Sequence, residues 1–122
     1  MKQVWLQSLT FENLLGPGQP DESDVSLQFR SKYFETEGDL IATTQYQVAF
    51  SGVGEEEYLR AELELSARFS IEGDLNEQFM AHFANTSLQL ILWPYLRQTV
   101  HDLVGRTGWS AFAIPPFKVG LV

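Results

Sequence analysis

Hydrophobic and polar residues alternate strictly over residues 59–71. The odd positions, from Leu59 to Ile71, are all apolar, and the even positions between them are all polar. A period of two over this length predicts a strand with one face on a core and the other in water, which is typical of antiparallel sheets. The polar face of this strand carries Glu62 and Glu64.

Three further strands are predicted ahead of it. Residues 25–34 and 40–50 alternate cleanly, and a hairpin turn is predicted between them. Residues 3–12 alternate more loosely. In that segment the pattern separates two groups of apolar side chains, with Trp5, Leu9 and Phe11 on one side and Val4 and Leu6 on the other. Residues 14–24 are rich in Gly, Pro and Asp, which predicts a loop.

The pattern changes to a helical period after residue 75, first in a short helix and then over residues 85–108. Asn85, Thr86 and Ser87 are all candidate N-cap residues for the longer helix. On a helical wheel its apolar residues cover far more than the roughly 100° stripe of an ordinary surface helix. One side of that wheel carries Leu88, Ile91, Leu92, Tyr95, Leu96, Thr99 and Leu103. Gln89, Arg97 and Asp102 interrupt the apolar arc.

Such a helix has two faces to bury. Either the chain's own sheet wraps it, or one face packs on the sheet and the other on a partner subunit. We favour the second explanation, which predicts a homo-oligomer, a dimer or a tetramer. The interface residues that it predicts are Leu90, Trp93, Arg97 and Val100.

Strands followed by helices predict a single α+β domain over residues 1–122. We expect a four-stranded antiparallel, meander-like sheet with a short and a long helix on one face. The other face of the sheet is then polar and open to solvent.

Composition narrows the classes of partner. The chain has 16 acidic and 8 basic residues, for a formal net charge of −8, which argues against nucleic acids and anionic membranes. No apolar stretch is long enough to span a bilayer. Cysteine is absent, which excludes disulfides and thiolate chemistry and is compatible with a cytoplasmic location.

No set of residues indicates an enzyme. The only histidines, His82 and His101, lack a third ligand at metal-binding spacing. Residues 55–57 are acidic but lack the pattern of a calcium loop, and residues 16–18 are not followed by the lysine of a phosphate loop. We therefore expect no catalytic residue, metal or cofactor.

The C-terminal segment is rich in large apolar residues placed among small residues and prolines. These side chains either close the core beneath the helices or form an apolar groove for extended peptide. The candidate groove residues are Trp109, Phe112, Ile114 and Phe117.

Residues 68–117 resemble the second half of SecB-type protein-export chaperones. The matching features are the RFSIEG strand end, the short helix after it, the LILWPYLR run that leads into the long helix, and the small-residue exit before an apolar tail with prolines. The positions that carry this resemblance are Phe69, Ser70, Ile71, Gly73, Ile91, Leu92, Pro94, Tyr95, Arg97 and residues 105–109. Leu90 and Trp93 stand where the family often has asparagine and phenylalanine.

The resemblance implies an ATP-independent chaperone that holds unfolded polypeptides in apolar grooves and delivers precursors to SecA. It also implies pairing of dimers into a tetramer through the long helices. Glu12 and Glu62 are the matches to acidic positions that contact SecA in the family. Arg60 and Arg68 on the same face do not fit that contact, and neither the short loop 14–24 nor the end at Val122 matches the family's longer groove loop and acidic tail.

Two alternatives remain open. Some relatives of this family are chaperones for the antitoxins of toxin–antitoxin systems, which suggests a single dedicated partner. The other alternative is an interaction module that has no chaperone activity.

Overall fold

A computed structural model describes residues 1–16, 18, 20, 23–52, 56–71, 73 and 76–109. The described residues form, in chain order, the strands β1 (Gln3–Asn13), β2 (Asp24–Thr36), β3 (Asp39–Ser51) and β4 (Glu57–Ser70) and the helices α1 (Glu77–Asn85) and α2 (Ser87–Arg106). This confirms the predicted α+β architecture. No helix among these residues is long and apolar enough to cross a lipid bilayer.

The strands form one antiparallel sheet in the order β1-β4-β3-β2. Only β2, β3 and β4 are joined as a meander, because β1 pairs with β4 and not with β2. The chain therefore crosses from one edge of the sheet to the other between β1 and β2, which gives Greek-key connectivity.

The register assigns every strand residue to one of two faces. The odd residues of β4 lie opposite the even residues of β3 and share a face with the odd residues of β2, as the alternation predicted. We call this the helix-side face, because residues of α2 complete its buried core. The opposite, mostly polar surface is the outer face.

β1 departs from the prediction because of a β-bulge between Leu6 and Ser8. A bulge inserts one extra residue and shifts the alternation, so the apolar residues on both sides of it reach the helix-side face. Val4 and Leu6 lie opposite Ala67 and Leu65, while Leu9 and Phe11 lie opposite Leu63 and Ala61. The predicted separation of these side chains was therefore wrong, and only Trp5, opposite Ser66, faces outward.

The hairpin between β2 and β3 is the tight turn that the sequence predicted. Thr36 pairs with Asp39, and the two residues between them, Glu37 and Gly38, have φ angles of 47° and 82°. Positive φ at both positions is the geometry of a type I′ turn, whose twist matches that of the strands.

α1 begins at an Asn76 N-cap, whose side chain accepts a hydrogen bond from the Phe79 amide at 2.7 Å. Thr86 separates the two helices and serves as the N-cap of α2, although its hydroxyl donates back to the carbonyl of His82 at 2.6 Å. α1 lies over one end of the helix-side face, where Phe83 packs edge-on against Phe69 with ring centroids 5.3 Å apart.

The buried side of α2 is narrower than the apolar side that the helical wheel predicted. It also points in a different direction around the helix axis. Its buried residues recur mostly at every fourth position: Leu88, Gln89, Leu92, Leu96, Val100 and Val104. Tyr95, which the wheel placed on the main apolar side, is 47% exposed. Gln89, predicted to interrupt the apolar arc, is fully buried.

Candidate functional site

The centre of the helix-side face is covered completely. Tyr46 and Phe50 of β3 and Leu59 and Leu63 of β4 are at most 1% exposed, and α2 lies over them. These side chains belong to the core and are not accessible to a partner.

The two edges of the same face are left uncovered by the two described helices. We call them the β1 flank (Val4, Leu6, Leu9, Phe11) and the β2 flank (Val25, Leu27, Phe29, Tyr33). Leu6 and Leu9 are 47% and 40% exposed, and Val25 and Tyr33 are 37% and 42% exposed. The remaining flank residues pack partly against the core cluster. Each flank is therefore a strip of apolar surface that continues directly from the core.

α2 borders both flanks with aromatic side chains. The ring centroids of Trp93 and Tyr46 lie 6.2 Å apart in an edge-on contact, and those of Tyr46 and Phe29 lie 5.9 Å apart. Trp93 therefore lies on the side of α2 that is nearer to the β2 flank. At about 100° per residue, Tyr95 lies on the opposite side of the buried stripe, toward the β1 flank. Leu90, which is 51% exposed, adds to the outward surface of the helix.

A buried polar network fixes α2 on the sheet. The Tyr46 hydroxyl donates to Oε1 of Gln89, whose Nε2 donates to Thr44 Oγ1 and to the carbonyl of Ala84, both at 3.1 Å. Thr44 also shares a hydrogen bond of 2.7 Å with Ser31 of β2. Burial raises the pKa of Tyr46, which keeps its phenol neutral as a donor. The network joins β2, β3 and both helices, and sequence analysis did not identify Gln89 as part of it.

Trp109 belongs to the core and not to an open groove. It is 6% exposed and meets Phe50 edge-on, with ring centroids 5.9 Å apart. In this arrangement its indole cannot contact a client, so the predicted role needs correction: Trp109 closes the core at the end of α2. Phe112, Ile114 and Phe117 lie outside the described residues.

The four predicted interface residues occupy different surroundings. Leu90 is exposed, and Trp93 and Arg97 are half-buried. Val100 is 1% exposed and packs in the core, so its side chain cannot form the surface that the prediction required. Val100 is one of the buried α2 residues that recur at every fourth position, which explains why it faces the core and not a partner subunit.

The outer face carries the acidic residues. Glu12 lies opposite Arg60 and Glu62 lies opposite Thr10, so both carboxylates share this face on adjacent strands. Arg60 donates to Glu57 at 2.9 Å through Nε. That hydrogen bond, assisted by the charges of Glu12 and Glu62, raises the pKa of Arg60. Arg60 therefore neutralises part of an acidic cluster.

At the opposite end of the strands, the outer face carries an ion pair and an exposed aromatic side chain. Arg68 forms an ion pair of 2.8 Å with Asp39. Phe34, next to Ile41 in the register, is 55% exposed on this face. Between the two ends lie shallow depressions of about 180 to 230 Å³, which polar side chains dominate. The carboxylates Glu12 and Glu62 thus lie on the β1–β4 side of the outer face, whereas Arg30 and Lys32 lie on its β2 side.

Metal binding has no support in the part of the chain that the structure describes, where no group of three or more His, Asp or Glu side chains could hold an ion. His82 and His101 are both exposed on their helices.

Sequence analysis missed the flanks as a site. Their residues alternate just as core residues do, and only the strand order reveals that β1 and β2 are edges. The one feature of the sequence that indicated the flanks was that the strands have more apolar residues than a single helix can cover.

Comparisons with known proteins agree with this architecture. The family model described as preprotein translocase subunit SecB matches residues 1–119. Protein-export protein SecB of Acidithiobacillus ferrooxidans is 26% identical, over 95% of this chain and 80% of that protein. The SecB of Pseudomonas fluorescens is 28% identical, over 95% of this chain and 74% of its own length.

A solved structure shows the same fold. It is a SecB-like chaperone of Mycobacterium tuberculosis in complex with a peptide from an antitoxin, and it superimposes with a TM-score of 0.84 at 18% identity. The match covers 98% of this chain and 91% of that one.

Proposed function

The chain belongs to the SecB family, and we propose that it is an ATP-independent holding chaperone, which binds unfolded or non-native polypeptides in apolar grooves on its helix-side face. It acts without a cofactor and without catalysis, from a cytoplasmic location. The single observation that carries this proposal is the apolar surface left uncovered on both flanks.

The flanks suit a client that has lost its fold. Each one is a strip along a strand, bordered by α2, and it offers aliphatic and aromatic side chains with few charges. Burial of such surface contributes roughly 25 cal/mol per Å² before ordering costs, and it needs no particular sequence in the client. Basic clients gain further attraction from the net charge of −8.

The C-terminal segment extends the same proposal. Phe112, Ile114 and Phe117 follow Trp109, which lies buried at the Phe50 end of the core. We propose that these three side chains add apolar contacts to a bound client. Trp109, which is buried in the core, does not contact the client itself.

Assembly into a homo-oligomer is part of the proposal. The outward surface of α2 carries exposed Leu90 beside half-buried Trp93 and Arg97, and a partner subunit would cover it. Trp93→Asp is expected to reduce the mass measured by light scattering, because burying an unpaired carboxylate costs several kcal/mol. Since Trp93 also contacts Tyr46, Leu90→Asp serves as a variant that spares the core. An unchanged mass in both variants would exclude this surface as the interface.

We further propose that the bound clients are delivered for protein export. We propose that SecA, the motor to which the family delivers precursors, contacts the outer face at the acidic cluster, including Glu12 and Glu62. Support for this comes from their position on one face, away from both flanks. Client and motor would then occupy opposite faces of the sheet.

A dedicated partner is the second candidate. The Mycobacterium tuberculosis structure holds an antitoxin peptide on a fold that matches this one with a TM-score of 0.84. If this chain serves one antitoxin, it will suppress aggregation of that protein and not of unrelated unfolded proteins. A toxin–antitoxin pair among the neighbouring genes would favour this candidate.

The experiment that tests holding uses the double variant Val25→Ser, Tyr33→Ser on the β2 flank. We expect it to lose much of its suppression of client aggregation while its thermal midpoint stays close to that of the parent protein. Phe34→Ser is the matched control, because Phe34 is exposed on the same strand but on the outer face. Equal loss in the control, or full activity in the double variant, would exclude the β2 flank as a client site.

A further inference from the structure

The start of β1 is fastened to the sheet by one carboxylate. Lys2 Nζ donates to Asp39 Oδ1 at 2.9 Å, and Arg68 Nε lies 2.8 Å from Asp39 Oδ2. Asp39 is 8% exposed and is the first residue of β3. One side chain therefore joins the residue before β1, the end of β4 and the β2–β3 hairpin.

The segment that this carboxylate fastens is short and separate from the rest of β1. The bulge between Leu6 and Ser8 interrupts the ladder, so residues 3–6 pair with β4 as a block of their own. Within the block Val4 packs partly on the core and Leu6 is 47% exposed. As part of an edge strand, the block has a neighbouring strand on one side only.

We propose that residues 2–6 open from the sheet as a unit separate from residues 8–13, and that Asp39 is the latch that holds this unit closed. Opening breaks the pairing with β4 from Leu65 to Arg68, together with the hydrogen bond of 2.7 Å from the Lys2 amide to the Arg68 carbonyl. It carries Val4 and Leu6 of the β1 flank away and uncovers the edge of β4 from Leu65 to Arg68, with which an extended chain can pair. The inference stands on the fold and does not depend on the proposed function.

The charges around Asp39 support the latch. The hydrogen bond from Lys2 is the foremost cause that lowers the pKa of Asp39, and Arg68 acts in the same direction against the effect of burial. Glu37, in the neighbouring turn, forms no ion pair with any of the described residues. The carboxylate of Asp39 is therefore ionised and doubly paired near neutral pH.

Residue-resolved hydrogen exchange of the whole chain tests the proposal. Lys2→Met removes the ammonium and keeps the length of the side chain, and it leaves the hairpin and Arg68 unaltered. We expect the amides among residues 3–6 that donate to β4 to exchange about two to five times faster, as the loss of a partly exposed ion pair implies. The amides of residues 8–13 are expected to keep the parent rates. Asp39→Asn should accelerate the same block at least as much, and Glu37→Gln, the matched control, should change nothing.

Several results would overturn the proposal. Unchanged exchange of residues 3–6 in both variants would show that Asp39 does not hold them. Equal acceleration over residues 3–6 and 8–13 in Lys2→Met would show that β1 opens as one strand. Acceleration confined to residues 36–42 in Asp39→Asn would show that the carboxylate stabilises the hairpin instead.

Discussion

The centre and the flanks of the helix-side face are built from the same kinds of residue but have different surroundings. Leu63 in the centre is 1% exposed, whereas Leu9, its neighbour across the β1–β4 ladder, is 40% exposed. An α-helix is about 10 Å wide and strands lie about 4.8 Å apart, so one helix covers about two strands. The outer two of the four strands are left with apolar surface that the described helices do not cover. Strand order, more than residue type, therefore decides which leucines form a core and which can bind a partner.

The strongest test of this difference compares one leucine from each region. Leu92→Ala removes a fully buried side chain from the centre, and we expect it to lower the free energy of unfolding by about 2 to 5 kcal/mol. Leu9→Ala makes the same chemical change on the β1 flank and should cost less than about 1 kcal/mol, because that side chain is already in part solvated. Urea unfolding of both variants at one protein concentration provides the measurement.

Equal costs for the two variants would contradict the distinction between centre and flank. If Leu9→Ala were as costly as Leu92→Ala only at concentrations where the protein is assembled, the β1 flank would be covered by another subunit. Dilution of the Leu9→Ala variant separates these two cases, since an interfacial cost depends on protein concentration and a core cost does not.

Much of this architecture was predictable from the alternation alone. The strict period over residues 59–71 identified β4 and its two faces, because the apolar face of that strand is buried from Leu59 to Ala67. β1 was harder, because the bulge between Leu6 and Ser8 moves apolar residues of both parities to one face. The flanks were not predictable, since a single strand carries no record of whether it will lie at an edge. Gln89 was misplaced because a buried amide is indistinguishable from a surface one until its partners are known.

That buried amide gives the second prediction, which concerns how the centre is held in register. Gln89→Leu removes the acceptor of the Tyr46 hydroxyl and the donor to Thr44, and we expect a loss of about 1 to 3 kcal/mol in the free energy of unfolding. Adding Tyr46→Phe should recover part of that loss, because the unsatisfied hydroxyl is then gone. Gln98→Leu, at an exposed position of the same helix, is the control. A double variant that is less stable than Gln89→Leu alone would contradict this account of the network.

The third prediction concerns how the stability that Asp39 contributes at the edge of the sheet depends on pH. The pKa of Asp39 is lowered in the folded chain, so its contribution to stability is complete above the ordinary aspartate pKa of about 4 and is lost as pH falls through the lowered value. The parent protein should therefore be more stable than Asp39→Asn at pH 7, and the difference should shrink as pH falls below about 4. Thermal midpoints measured between pH 7 and pH 3 test this. A difference that stays constant over this range would show that Asp39 acts through packing and not through its charge.

The smallest effect on stability is expected on the outer face. Changes there should differ from changes in the flanks by affecting SecA binding and not client binding. The double variant Glu12→Gln, Glu62→Gln changes two carboxylates that lie outside the core, and we expect its free energy of unfolding to move by no more than about 0.5 kcal/mol. Suppression of client aggregation should also stay the same, because the proposed client site lies on the other face. Affinity for purified SecA, measured at low and high salt, should fall and should depend less on salt, since two of the charges that attract a basic surface are gone. If client holding fell and SecA binding did not, the assignment of the two faces would have to be exchanged.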